Sequence, residues 1–209
     1  MDLILARHGE TKMNLEEIFR GRMDISLNET GLKQAELLSG FLEETKIKAV
    51  LSSPLKRALQ TAEAIASNHG LEIEITPELN DLDFGEWQGL PLVEVRTGYV
   101  DLFREWTDSP EKVVLPGGES LDDVTKRAMK VVDRVVGEYD GTVVLVSHRV
   151  VNKIIILALL GLDNSHFWNI RQDTCGITTF SYNNGRFVLT AHNITSFLDS
   201  LRVEKLADF

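Results

Sequence analysis

Leu3-Ile4-Leu5-Ala6-Arg7-His8-Gly9-Glu10 carries the clearest fold signal in the chain. Its first four residues form a short, unbroken apolar run, the signature of a strand buried on both faces. The polarity changes abruptly at Arg7-His8, at the carboxyl end of that strand, which is where open α/β sheets take their ligands. The same junction occurs twice more. Ala49-Val50-Leu51 leads into Ser52-Ser53-Pro54-Leu55-Lys56-Arg57, and Val143 to Val146 leads into Ser147-His148-Arg149.

Helical periodicities separate these runs. Leu32, Ala35, Leu38 and Leu42 repeat at helix spacing after Thr30-Gly31, beyond a polar stretch from Arg7 to Asn28. Pro54 suits the first turn of a helix whose apolar face is Leu55, Leu59, Ala62 and Ile65-Ala66, and Asn68-His69-Gly70 reads as its C-cap. Leu71 to Ile75 alternates like an edge strand, and Gly117-Gly118-Glu119-Ser120 opens another helix. An apolar helix runs from about Val150 to Leu160 and stops at Gly161. Thr174 to Tyr182 and Arg186 to His192 read as a hairpin around Asn183-Asn184-Gly185.

Strands alternating with helices predict an α/β three-layer sandwich, a mostly parallel sheet flanked by helices with an antiparallel element near the end. Residues 1–209 are expected to form one domain, with a small helical lid at about 84–118 and a tail at about 196–209. The lid's aromatics, Trp87, Tyr99, Phe103 and Trp106, read either as contact area for a ligand or as core.

The formal charge of −10, from 22 Lys+Arg against 32 Asp+Glu, argues against nucleic acid and anionic membranes as partners. An anionic substrate then requires positive charge gathered locally. The single cysteine, Cys175, excludes an internal disulfide and any multi-cysteine zinc site. No apolar run approaches the roughly 18 residues of a membrane span, and Met1-Asp2-Leu3 does not open like a signal peptide, so a cytoplasmic protein is expected. A homodimer stays open.

Three strand ends thus deliver Arg7, His8, Arg57 and His148. Two arginines and two histidines in one pocket make an oxyanion site, best matched to a phosphoryl group because arginine forks fit phosphate oxygens. A helix N-terminus at Arg57 adds unpaired N–H groups.

With Leu5-Ala6-Arg7-His8-Gly9-Glu10-Thr11-Lys12-Met13-Asn14, the Ser-Ser-Pro-Leu-x-Arg-Ala block and the Ser-His block in that order, the chain resembles the histidine phosphatase superfamily. The branch is the one that includes cofactor-dependent phosphoglycerate mutases, and the likeness runs to about Ser196. The resemblance implies a phosphoglycerate mutase-like fold and a phosphohistidine formed on His8. It implies that Arg7, Arg57 and His148 hold the phosphoryl oxygens, that Asn14 supports them, and that Arg20 and Gly21 sit in a loop closing the pocket. It calls for neither cofactor nor metal, and the sequence shows no carboxylate cluster suited to magnesium. Where the family carries a glutamate as proton donor, this chain has Asp81, one methylene shorter, with Glu78, Asp83 and Glu86 as fallbacks.

Weaker candidates read more plainly. Thr61 is a helix-face hydroxyl and Glu119 a first-turn dipole partner, with Ser120 near the pocket. His69 and His192 sit at element ends, His166 packs, and Cys175 is a small buried residue. The resemblance implies a phosphomonoesterase acting on a small phosphorylated metabolite. Its pattern is close to metal-independent phosphoserine phosphatases, alpha-ribazole phosphatases and broad-specificity sugar phosphatases. A cofactor-dependent mutase is the alternative, disfavoured by the short middle segment, and a non-catalytic phosphate-binding module is the third reading.

Overall fold

In the computed structural model, which describes residues 1–201, the three apolar runs are neighbouring strands of one sheet. Strands β1 (Asp2–Arg7), β2 (Ile47–Ser52), β3 (Ile73–Ile75), β4 (Thr142–Ser147), β5 (Ile177–Asn183) and β6 (Arg186–Ile194) lie in the order β3-β2-β4-β1-β5-β6. The four from β3 to β1 run parallel, and β5 and β6 add an antiparallel hairpin.

The unbroken apolarity of β1 and β4 has a direct cause. Leu3, Leu5, Val143 and Leu145 enter one core, whereas Ile4, Ala6, Val144 and Val146 enter another on the opposite face. With both faces covered, neither phase of the pleat can be polar. The first core is closed by α6 (Leu121–Glu138) and α7 (Arg149–Leu159), and the second by α2 (Glu29–Phe41) and α3 (Lys56–His69). Parallel strands require long crossovers, and α2, α3 and α6 lie in them, whereas α7 carries the chain from β4 to the antiparallel β5.

Local signals explain the element ends. Asn28 caps α2, accepting from the Gly31 N–H at 2.7 Å, so the helix begins at Glu29, just ahead of Thr30-Gly31. Gly70 closes α3 in the left-handed conformation, with φ of 62°. The edge strand β3 is shorter than its alternation indicated, pairing with β2 only from Ile73. The polar stretch after β1 also contains a four-residue helix, α1 (Lys12–Leu15), whose first turn is braced by Thr11 and Asn14.

The middle segment is helical, with α4 (Leu92–Gly98) and α5 (Val100–Asp108) between short 3-10 turns. Trp87 and Trp106 are buried and meet edge-to-face, and Phe19, Phe84 and Phe167 pack beside them in the first core. The aromatics of this segment are therefore core; fixing the connection to the sheet is their role. Past β6, Ser196–Leu201 forms a further 3-10 turn in which Leu198 is buried and Phe197 stacks on Phe41. Structure thus continues beyond the point where the sequence reading places a tail, and residues 202–209 lie outside the described residues. Among the described residues, no helix is long and apolar enough to cross a membrane.

Candidate active site

Because β4 lies between β1 and β2, the three strand ends are adjacent. The ladder continues one step beyond the strands: His8 N–H donates to Ser147 C=O and Ser53 N–H to Val146 C=O, both at 3.0 Å. This sets His8, Ser53 and His148 side by side at the carboxyl edge of the sheet. The helices that follow two of these ends, α3 and α7, begin here and turn their N-termini toward the same spot.

His8 is 1% exposed, and its backbone C=O accepts from Cys175 N–H. Its Nδ1 lies 2.7 Å from Gly9 C=O, and a carbonyl can only accept, so Nδ1 carries the hydrogen. The lone pair is therefore on Nε2, where Arg57 Nε donates to it at 3.3 Å. The loop holding this ring is itself held. Gly9 N–H donates to Thr61 Oγ1, which donates on to Arg57 C=O. A Cβ at Gly9 would stand 2.6 Å from Gly31 C=O, so only glycine allows the loop to lie this close to α2.

Arg57 is fully buried and distributes its fork over the site. Nη1 donates to Met23 C=O at 2.7 Å, and Nη2 to Gly21 C=O at 2.7 Å and to Asp81 Oδ2 at 3.0 Å. Burial works against the Arg57 cation, and Asp81 is the main charge that offsets it. Gly21 adopts φ of 49°, and a Cβ there would meet Gln88 Oε1 at 2.7 Å. Asp81 also accepts from Leu82 N–H at 2.9 Å, and its Oδ2 is 3.6 Å from His148 Nδ1. His148 is fully buried, with Nε2 2.7 Å from Ser53 Oγ, and its ring centroid lies 5.2 Å from that of His8.

A cleft opens over this group, lined by His8, Arg20, Gly21, Asp81, Phe84 and Arg149 among others. Arg57 and His148 lie directly behind it through their contacts with His8 and Asp81. Arg7 anchors at the end of β1 by donating to Gln172 C=O. Arg20 donates to Met13 and Ile18 C=O, and its Nε is buried without a partner. Asn14 does not line the cleft: its Oδ1 accepts from both the N–H and the hydroxyl of Thr11, bracing α1.

Arg149 was legible only as the residue after His148. It reaches the cleft because it is the first residue of α7, and a strand-to-helix junction gave no signal of where that side chain would go. Glu119 differs from its reading as a helix-dipole partner, since it pairs with Arg127 and Arg22. Glu78 and Glu86 are exposed, with Glu86 accepting from Tyr99 OH, while Asp83 pairs with Arg22. His166 pairs with Asp163, and His192 contacts Thr178. Cys175 is buried, and burial pushes its thiol pKa far up, which keeps it protonated. Among the described residues, no group of three His, Cys, Asp or Glu is placed to hold a metal ion.

Both histidines are held neutral. Burial, reinforced by Arg57 and then other nearby cations, pushes the pKa values of His8 and His148 well below 6.5. In the unfolded chain each imidazole takes its proton near pH 6.5. Between that pH and the lower folded values the unfolded state binds more protons, so stability falls as pH drops below about 6.5. The ring signals of His8 and His148 are expected not to titrate near pH 6.5 in NMR. A midpoint there would contradict the electrostatics of the site.

Parallel strand ends that collect two neutral imidazoles and a buried guanidinium, with a carboxylate from a neighbouring loop, make a site suited to phosphoryl transfer. The sequence matches the histidine phosphatase superfamily (branch 1) over residues 3–195, and the chain belongs to that superfamily. It is a phosphomonoesterase of the kind that works through a phosphohistidine. It is 37% identical to phosphoserine phosphatase 1 of Hydrogenobacter thermophilus, over 97% of this chain and 96% of the relative. It is 28% identical to the adenosylcobalamin/alpha-ribazole phosphatase of Escherichia coli, over 83% and 86% of the two chains. Among solved structures, YhfR of Bacillus stearothermophilus superposes with a TM-score of 0.90 at 30% identity, covering 94% of this chain and 98% of the other. The phosphoserine phosphatase of Entamoeba histolytica, in complex with 3-phosphoglyceric acid, gives 0.85 at 31% identity with the same coverages.

Proposed function

We propose that this chain hydrolyses small organic phosphates that carry a second anionic group, with His8 as the phosphoryl acceptor. One observation carries the reading: a neutral, immobilised imidazole, with its lone pair on Nε2 beside Arg57, lines a cleft that Arg20 and Arg149 also line. Nε2 attacks phosphorus and the bond to the ester oxygen breaks. Asp81, ion-paired with Arg57 before substrate binds, takes up the proton of the monoanionic phosphate ester as the phosphoryl oxygens engage Arg57. It passes that proton to the departing alkoxide, while Arg7, Arg57 and His148 hold the phosphoryl oxygens. Arg57 Nε–H, which donates to Nε2, turns to a phosphoryl oxygen once Nε2 is bonded to phosphorus. Water then attacks the phosphohistidine and leaves its proton on the Asp81 carboxylate, releasing phosphate and neutral His8. Positioning and electrostatics supply most of such a transfer.

The second anionic group rests on Arg20 and Arg149, the two arginines that line the cleft itself, beyond those assigned to the phosphoryl group. A carboxylate near the phosphate matches two further guanidinium forks. The relatives named for phosphoserine, and the Entamoeba structure holding 3-phosphoglyceric acid, involve phosphates of that composition. Support for a cytoplasmic setting comes from the single, buried cysteine.

A panel of phosphomonoesters assayed in chelator tests the substrate class. Carboxylated esters are expected to exceed uncharged alkyl phosphates by roughly tenfold or more in kcat/KM, about 1.4 kcal/mol for one added charged contact. A flat panel would sink it. Free phosphate release, measured beside isomerisation of 3-phosphoglycerate, separates a phosphatase from a mutase.

Asp81→Asn tests the proton donor. An acid is worth about 10²–10⁴ in rate when the leaving group is poor and far less for an aryl oxide. Alkyl phosphates should therefore lose much more kcat/KM than an aryl phosphate. Equal losses would assign Asp81 a structural role.

A further inference from the structure

Asp81 sits in a stretch with no regular structure, between the 3-10 turns Pro77–Leu79 and Gly85–Trp87. Its side chain has to be aimed within a fraction of an ångström to protonate a leaving oxygen, yet no ladder or helix holds its backbone. Arg127, from the second turn of α6, does so instead. Nη1 donates to Glu78 and Asn80 C=O, both at 2.6 Å, and Nη2 to Asp81 C=O at 3.1 Å. The remaining donors go to Glu119: Nε to Oε1 and Nη2 to Oε2, each at 3.0 Å. All five N–H groups of one guanidinium are thereby engaged, three of them on the carbonyls that flank and include Asp81.

Glu119 closes the arrangement. Its Oε2 accepts from Asp83 N–H at 3.0 Å, its own N–H donates to Asp83 C=O at 2.9 Å, and Arg22 bridges Glu119 and Asp83. Ser147 Oγ donates to Leu79 C=O at 2.7 Å, so β4 itself grips the same stretch. Arg127 is 16% exposed, and neither it nor Glu119 lines the cleft.

We infer that Arg127, held by Glu119, is a positioning residue that sets the Asp81 carboxylate against the leaving oxygen. The inference rests on the proposed role of Asp81 as proton donor. A lysine keeps the charge but cannot present a planar fork to three carbonyls and a carboxylate at once.

The test compares Arg127→Lys, Glu119→Gln and Asp81→Asn, each by kcat/KM for an alkyl phosphate and an aryl phosphate and by inhibition with inorganic phosphate. Arg127→Lys is expected to lower the alkyl value by roughly 10- to 100-fold, as a displaced catalytic group does. The aryl value should move by no more than about twofold, and phosphate inhibition should stay as in the wild type. Glu119→Gln, which loosens Arg127 without removing it, should show the same preference at smaller size, and it serves where Arg127→Lys folds poorly. Equal losses on both substrates, no loss on either, or weakened phosphate inhibition would overturn the inference. If Asp81→Asn discriminates between the substrates and Arg127→Lys does not, the role of Arg127 alone falls. If Asp81→Asn itself treats them alike, the proton-donor reading falls and takes this inference with it.

Discussion

Replacing His8 by alanine is expected to abolish turnover while leaving a folded protein. Loss of a nucleophile removes the covalent route altogether, and comparable deletions cost roughly 10⁶ in kcat. The fold should survive because His8 is neutral in the native state, so its removal leaves no unpaired buried charge behind. The ladder bonds from its backbone to Ser147 and Cys175 do not depend on the ring. Arg57 Nε loses one acceptor but retains its contacts with Met23, Gly21 and Asp81. Phosphate release, acid-labile labelling of the protein by a labelled substrate, and a melting curve check the three parts. Activity within tenfold of wild type, or label retained by His8→Ala, would move the nucleophile elsewhere.

Arg57→Ala should damage activity and stability together, which distinguishes it from His8→Ala. The guanidinium is fully buried and ties four partners from different parts of the chain: His8, Gly21, Met23 and Asp81. Its removal strands a nearly buried carboxylate and two carbonyls. Breaking a buried pair from one side typically costs about 3–5 kcal/mol, which for a domain of this size lowers the melting temperature by about 6–20 °C. The rate should fall by roughly 10³ or more, because the same cation faces charge developing on the phosphoryl oxygens. Inorganic phosphate should inhibit more weakly, since the contact is made in the ground state as well. A stable variant with normal phosphate inhibition would place Arg57 outside the phosphate site. Arg57→Lys, retaining charge without the fork, should recover stability more than rate.

Much of this arrangement was legible along the chain. A run such as Leu3 to Ala6, too short for a helix of its own, suits a strand buried on both faces, and the polarity change at Arg7-His8 marks where the strand reaches the sheet's edge. Asn183-Asn184-Gly185 supplied a local turn signal, and the hairpin β5–β6 follows from it, with Asn184 and Gly185 both at positive φ. These are features in which a residue's own conformational preference, or burial repeated at a fixed period, suffices as the cause. The aromatics at 87–106 were not decidable in that way. A buried tryptophan and a ligand-facing one have the same sequence, and only packing against Phe19 and Phe167 separates them.

Periodicity and polarity along the chain establish three buried strands running into arginine, histidine and serine, with helices after two of those ends. The insertion of β4 between β1 and β2 is visible only in the folded chain, because strand order comes from crossovers that leave no local mark. That insertion brings the His148 ring centroid to 5.2 Å from that of His8, although the two residues are 140 positions apart in sequence. The same holds for the contacts that aim the site. Arg127 meets the carbonyls around Asp81 across separations of 46 to 49 residues, and Arg149 reaches the cleft through the direction in which α7 starts. A hydrogen bond to a backbone carbonyl can be made to any residue type, so nothing in the composition of either partner records it.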